Sequence, residues 1–229
     1  MKPGGKPDFG LEPLDFGFVT WSIETYFKKM KVIKNPILRG FNPDPSIVRV
    51  GDDFYIATST FEWFPGVQIH HSRDLVNWHL IGQALTRKSQ LDLTGIPNSG
   101  GIWAPSISYS EGKFYLNYTI VRTWGMGQPF KDMHNYLITT ETIDGEWSEP
   151  IFLNSSGFDA SLFHDPDGRK WVVNMEWDYR PNHPRFAGIL LQEYSENEKR
   201  LVGERYNILK KNILIEGPNL YKYNEYYIN

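Results

Sequence analysis

Residues 44–58 read DPSIVRVGDDFYIAT, and variants of the phrase return three times further along the chain. Asp44-Pro-Ser-Ile is followed by VRVGDDFYIATST, Ala104-Pro-Ser-Ile by SYSEGKFYLNYTI, Asp159-Ala-Ser-Leu by FHDPDGRKWVVNMEW, and Gly217-Pro-Asn-Leu by YKYNEYYIN. Each segment is a short apolar strand, a turn rich in Gly, Asp or Asn, and a second strand of alternating aromatic and aliphatic residues, which is a hairpin signature. The starts at 44, 104, 159 and 217 lie 60, 55 and 58 positions apart. Between them stand second hairpin units at 66–85, 134–153 and 187–208. Two hairpins per period predict a four-stranded antiparallel sheet, and sheets repeating at this length predict the blades of a β-propeller.

The first strand of a blade lies nearest the propeller axis, so residues at its start ring one mouth of the central channel. Asp44 and Asp159 hold the same place in repeats one and three, repeat two has Ala104 there, and repeat four has Glu216 one residue earlier. Carboxylates 115 and 172 residues away from Asp44 (159 − 44 and 216 − 44) are thereby expected at one funnel. Two readings of Asp44 stand side by side. Prolines on both flanks make Pro43-Asp44-Pro45 good turn chemistry, and a carboxylate converging with two others makes a functional group.

The chain has 229 residues, of which 40% are hydrophobic and 15% aromatic, enough to bury a substantial core in one domain or part of a larger one. A formal net charge of −3 without a long basic run argues against nucleic acid or anionic membrane as partner. The absence of cysteine excludes disulfides, thiol catalysis and cysteine-based zinc sites, and nothing near 18 consecutive apolar residues suggests a membrane helix. The 8 Trp, 13 Tyr and 14 Phe offer faces that sugars stack on and that β cores also use. The six histidines, at 70, 71, 79, 134, 164 and 183, show no ligand spacing, so no metal or cofactor is assigned. Residues 1–29 are rich in Gly and Pro and contain no secretory signal pattern; they are expected to be a disordered extension or a misplaced start, with the domain running over 30–229 and the protein cytoplasmic.

Five motifs, NPDPSI, STFEWFPG, GGIWAPSISY, NSSGFDASLFHDPDGRKW and EGPNLYK, occur in that order over about residues 30 to 229. Together they resemble the β-xylosidase branch of glycoside hydrolase family 43. The resemblance implies an all-β, five-bladed propeller and inverting release of xylose from xylo-oligosaccharides, often with α-L-arabinofuranosidase side activity. It implies Asp44 as general base, Glu216 as general acid and Asp159 as the residue that adjusts that acid, by like-charge repulsion that keeps it protonated. It also carries xylose-contacting roles onto Phe61, Trp103 and Trp177; taken alone each fits a core position at least as well, and Trp103, between Gly101 and Pro105 just before the ring position, is the better candidate for a sugar-stacking wall. Trp78 and Trp147 close second hairpins after a Ser or Thr and an Asp, and are expected to pack between blades.

Two departures accompany the resemblance. Ala160 stands where the family generally has proline, a change expected to be tolerated. Asn229 falls in what the repeat makes the second strand of blade four, so about three and a half blades are expected, without the later histidine and arginine of the family. Open blade faces would then favour self-association into a homo-oligomer. An active β-xylosidase and an inactive fragment or sugar-binding remnant of one both follow from the same motifs.

Overall fold

The computed structural model describes residues 32–123, 125, 130–211, 213–224 and 226–228; the extension expected at 1–29 lies outside them. The compact unit Lys34–Asn229 contains fourteen described strands. They are β1 Ser46–Val50, β2 Asp53–Thr58, β3 Gly66–Ser72, β4 His79–Leu85, β5 Gly101–Ser110, β6 Lys113–Thr123 and β7 Asp132–Thr140. The series continues with β8 Ile151–Asn154, β9 Ser161–His164, β10 Lys170–Trp177, β11 Phe186–Ser195, β12 Arg200–Leu209, β13 Tyr221–Tyr223 and β14 Tyr226–Ile228. Three four-stranded antiparallel sheets, β1–β4, β5–β8 and β9–β12, and the hairpin β13–β14 follow one another in chain order. They are three blades and the opening hairpin of a fourth, as the repeat predicts.

Turn chemistry sets these hairpins. At the β5–β6 turn both Glu111 (φ 52°) and Gly112 (φ 80°) are left-handed, the pair of conformations that matches strand twist in a two-residue loop. The pairing Ser110↔Lys113 closes around them.

Side-chain alternation then builds the core between blades, because a strand offers opposite faces to its two neighbours. Along β6, Phe114, Leu116, Tyr118 and Ile120 pack against Ala57, Val67, Ile69 and Leu85 of the first blade. From the opposite face of that strand, Tyr115 packs with Ala160, Leu162 and Val172 of the third blade, and Val121 with Phe158, Val173 and Met175. Ala160 is fully buried in that contact, so the residue that departs from the family pattern fills its place without a gap in the cluster.

Polar clamps join the blades further out. Arg87 reaches from the first blade to Glu146, Glu149 and the carbonyl of Trp147, while Glu196 of the third accepts from Lys113, Lys170 and Tyr115. Trp147 is buried between blades one and two, as expected. Trp78 differs: it lies half-buried on the outer side of blade one, its indole N–H enclosed and without a hydrogen-bond partner among the described residues.

Candidate active site

The four repeat starts meet at one cavity of about 570 Å³, walled by residues 44–47, 104–108, 159–162 and 216–221. Asp44, Asp159 and Glu216 therefore share a single funnel, although 172 residues separate the first from the last. The convergence comes from the backbone. Asp44 (φ 52°), Asp159 (φ 57°) and Gly217 (φ 64°) occupy equivalent places and are all left-handed, a conformation that Gly adopts without strain and that Asp tolerates better than most residues. Ala104 is not left-handed; there the pairing of β5 with β6 slips between Trp103 and Ser106 instead.

Hydrogen bonds stitch each start to the next. Ser46 Oγ accepts from the N–H of Ile107 at 3.1 Å, and Thr119 Oγ1 accepts from the N–H of Asp159 at 3.2 Å. Thr119 is itself oriented by donating to Asn135 Oδ1 at 2.7 Å. Ser161 Oγ donates to the carbonyl of Pro218 at 2.6 Å, and the N–H of Gly217 donates to Asp159 Oδ2 at 3.0 Å. The rim is held by these bonds rather than by packing alone.

Enclosure raises all three acids from their ordinary values, and like charges add to the rise at Asp159 and Glu216. Burial raises Asp159 most, to about 7; the Gly217 N–H opposes the rise, and the charges of Glu216 and Asp44 add to it. Burial also raises Asp44 and Glu216, but both keep an exposed side at the open mouth, where water screens the effect. At Glu216 the like charge that acts is Asp44, and Lys131 pulls the other way. Asp159 and Glu216 repel one another, and the rise this produces falls on the more enclosed Asp159. Asp159 is the most enclosed of the three, and its contact with the segment that bears Glu216 runs through the Gly217 N–H. Among the described residues no group of three or more His, Asp or Glu side chains is arranged to hold a metal ion.

The aromatic candidates stand around the cavity rather than in its wall. Phe61 (φ 47°) forms an isolated antiparallel bridge with Ile102, its N–H donating to the Ile102 carbonyl at 3.2 Å and its carbonyl accepting from the Ile102 N–H at 2.9 Å. Trp103 comes next, immediately before Ala104 of the wall, with its Nε1 donating to Ser99 O at 2.9 Å. Trp103 and Trp177 flank Phe158, at 5.2 and 6.1 Å between ring centroids. Lys131 Nζ lies 4.7 Å from the Trp177 ring centroid and 6.0 Å from that of Trp103, within cation–π range. Phe158 and Lys131 are the members that sequence reading missed. Phe158 sits one residue before Asp159 in a quoted motif, whereas Lys131 lies outside the repeat pattern and is brought in only by blade packing.

Comparison with known proteins gives this geometry a context. The family model for glycosyl hydrolases family 43 matches residues 33–228. A beta-xylosidase of Bacillus subtilis (strain 168) is 60% identical over 85% of this chain and 37% of its own length. A xylosidase/arabinosidase 43B of Humicola insolens is 58% identical over 86% of this chain and 37% of its own. The crystal structure of a xylan beta-1,4-xylosidase from Bacillus halodurans C-125 superposes with a TM-score of 0.83 at 65% identity, over 86% of this chain and 38% of that one. The chain thus spans a little over a third of the length of these relatives.

Proposed function

This chain belongs to glycosyl hydrolase family 43, and on that footing we propose that it carries the catalytic acids of an inverting exo-β-1,4-xylosidase. The substrate is a xylo-oligosaccharide, with α-L-arabinofuranosides as a side activity. The observation that carries the reading is the meeting of Asp44, Asp159 and Glu216 at one cavity. Inversion needs one carboxylate to deprotonate an attacking water and a carboxylic acid on the opposite side to protonate the leaving oxygen. Asp44 is the base and Glu216 the acid. An ionised Asp44 favours the proton on Glu216, so the state that minimises repulsion is also the reactive one. Asp159 acts through the Gly217 N–H, holding the segment that bears the acid. Phe61, Trp103 and Trp177 supply apolar faces around the sugar.

A second reading, sugar binding without turnover, is favoured by the surroundings of Glu216. Tyr221, Tyr223 and Tyr226, in the hairpin that follows it, are 64–73% exposed, so this side of the funnel is more open than the Asp159 side. The deciding experiment incubates the chain with xylobiose and follows released xylose by proton NMR. The proposal expects the α-anomer first. The β-anomer first would exclude inversion, and saturable binding without release would establish the second reading.

A further inference from the structure

Behind the funnel wall runs a ladder of polar side chains on which Asp159 rests. Thr119, Asn135 and Asn154 stand directly opposite one another on β6, β7 and β8, through the pairings Thr119↔Asn135 and Asn135↔Asn154. Asn174 of β10 joins them from the third blade. Thr119, Asn135 and Asn174 are buried, and their neighbours two residues along the same strand faces, Val121, Met133 and Val172, are buried and apolar. Burying polar side chains in such company is costly unless their hydrogen bonds are made.

Here the bonds are made, and their direction is fixed. The Asn135 amide nitrogen donates to the Gly157 carbonyl at 3.0 Å and to Asn154 Oδ1 at 2.9 Å. A carbonyl only accepts, so the Asn135 oxygen must face Thr119, whose hydroxyl donates to it at 2.7 Å. With its proton committed there, Thr119 Oγ1 offers only lone pairs to the N–H of Asp159 at 3.2 Å. At the far end Asn154 donates to Asn174 Oδ1 at 3.1 Å, and Asn174 is anchored in the same way by donating to the Met175 carbonyl at 2.9 Å. The loop that bears Asp159 is pinned from its other side as well. The N–H groups of Met175 and Trp177 donate to the carbonyls of Phe158 and Ser156 at 3.1 and 2.9 Å, and a Cβ at Gly157 would fall 1.8 Å from the Met175 carbonyl oxygen.

We propose that Thr119, Asn135, Asn154 and Asn174 form a positioning relay for the acid, holding Asp159 in its left-handed turn so that its carboxyl meets the Gly217 N–H and sets Glu216 in the funnel. The inference rests on the assignment of Glu216 as the acid. Each side chain of the relay fixes the orientation of the next, and the last bond, from the Gly217 N–H to Asp159 Oδ2 at 3.0 Å, reaches the residue beside the acid. None of the four lines the cavity, so their effect passes through Asp159. Removing the Thr119 hydroxyl leaves the Asp159 N–H and Asn135 Oδ1 without that partner, and the turn relieves the loss by moving its carboxyl towards the open mouth.

The test follows the Gly217 amide of the 229-residue chain by NMR from about pH 4 to about pH 9. Asp159→Asn identifies the step in its curve that belongs to Asp159. The charges that act on that carboxyl are Asp44 and Glu216, and both are kept in every variant. The wild-type step is expected at about pH 7. Thr119→Val removes the hydroxyl and keeps the shape; it is expected to weaken proton binding about tenfold, moving the step about one pH unit lower as the carboxyl leaves its enclosure. Thr119→Ser is expected to restore the wild-type step. Asn154→Ala, at the half-buried end of the relay, is expected to move the step in the same direction and decides the matter where the valine variant does not fold. Thr60→Val is the control, since that hydroxyl is also buried and accepts the N–H of Val67 at 3.2 Å, but in the first blade, so the step is expected to stay. A wild-type step in Thr119→Val or Asn154→Ala, a serine variant displaced as far as valine, or an equal shift in Thr60→Val overturns the relay and leaves the cavity reading intact. The acid assignment fails separately, on equal losses of Glu216→Ala with xylobiose and an aryl xyloside, which removes the acid from the relay's role without touching the Gly217 curve.

Discussion

The backbone N–H of Gly217 donates to Asp159 Oδ2 at 3.0 Å, so the residue that follows Glu216 is held by a carboxyl from the neighbouring repeat. The same carboxyl titrates near 7 because it is enclosed. Its folded value lies above the 3.8 of the unfolded chain, so the native state binds this proton more tightly. Asp159 therefore contributes stability that is full below pH about 4 and is lost as pH rises through about 7. Asn keeps an acceptor for Gly217 and cannot ionise. Asp159→Asn is expected to melt above the wild type at pH 8, with the gap closing towards pH 4, as read by circular dichroism. A constant gap across that range would remove the titration from the account.

Asp44 and Glu216 separate by substrate. With Asp44 as the proposed base, Asp44→Ala is expected to lower turnover about 10²- to 10⁴-fold on xylobiose and on p-nitrophenyl-xyloside alike. Glu216→Ala should be as severe on xylobiose but within about tenfold of wild type on the aryl xyloside, whose phenolate leaves without a proton. Equal losses on both substrates take Glu216 out of the acid role.

Lys131 is expected to set the alkaline limb of activity. Its charge lowers the pKa of Glu216, so Lys131→Met should raise that pKa and move the basic limb of the kcat/KM profile to higher pH. A limb that stays in place would mean that Lys131 does not act on the acid.

Gly101 explains why Phe61 and Trp103 stay together. A Cβ at Gly101 would fall 2.2 Å from the Phe61 carbonyl oxygen, at a φ of 79° that a side chain rarely adopts. Gly101→Ala is expected to cost about 2–4 kcal/mol in urea unfolding, combining overpacking with backbone strain. Gly112→Ala is the control. Its φ is 80° but no atom lies within 4 Å of the new Cβ, so strain acts alone and about 1 kcal/mol is expected. Equal costs at the two positions would show that the latch with Phe61 adds nothing.

The blades were legible because hairpin turns and alternation are local. The acids were legible because they recur at equivalent places in the repeat or one residue before it. What local pattern could not supply is the company each residue keeps. Trp78 and Trp147 follow similar Asp-bearing turns, yet Trp147 is covered by a neighbouring blade and Trp78 is not, since burial depends on what packs across the face. Lys131 acts on an acid 85 residues later (216 − 131) through blade packing that no spacing encodes. The order of the acids by enclosure, with Asp159 above Glu216, likewise depends on depth in the funnel rather than on motif.

The left-handed turn at three of the four repeat starts has a consequence for how such a rim can change. That conformation favours a small alphabet, chiefly Gly, Asn and Asp, which adopt it with least strain whatever the chemistry at the axis. Exchanges within the alphabet leave the turn undisturbed while adding or deleting a negative charge. Gly217 is a silent spoke of this kind, its acid arriving one residue early at Glu216, whereas Asp44 and Asp159 are charged spokes on the same geometry. Ala104, which reaches the mouth through a slipped strand register, stands outside that alphabet. Charge around the axis can thus be edited spoke by spoke while the blades keep their shape.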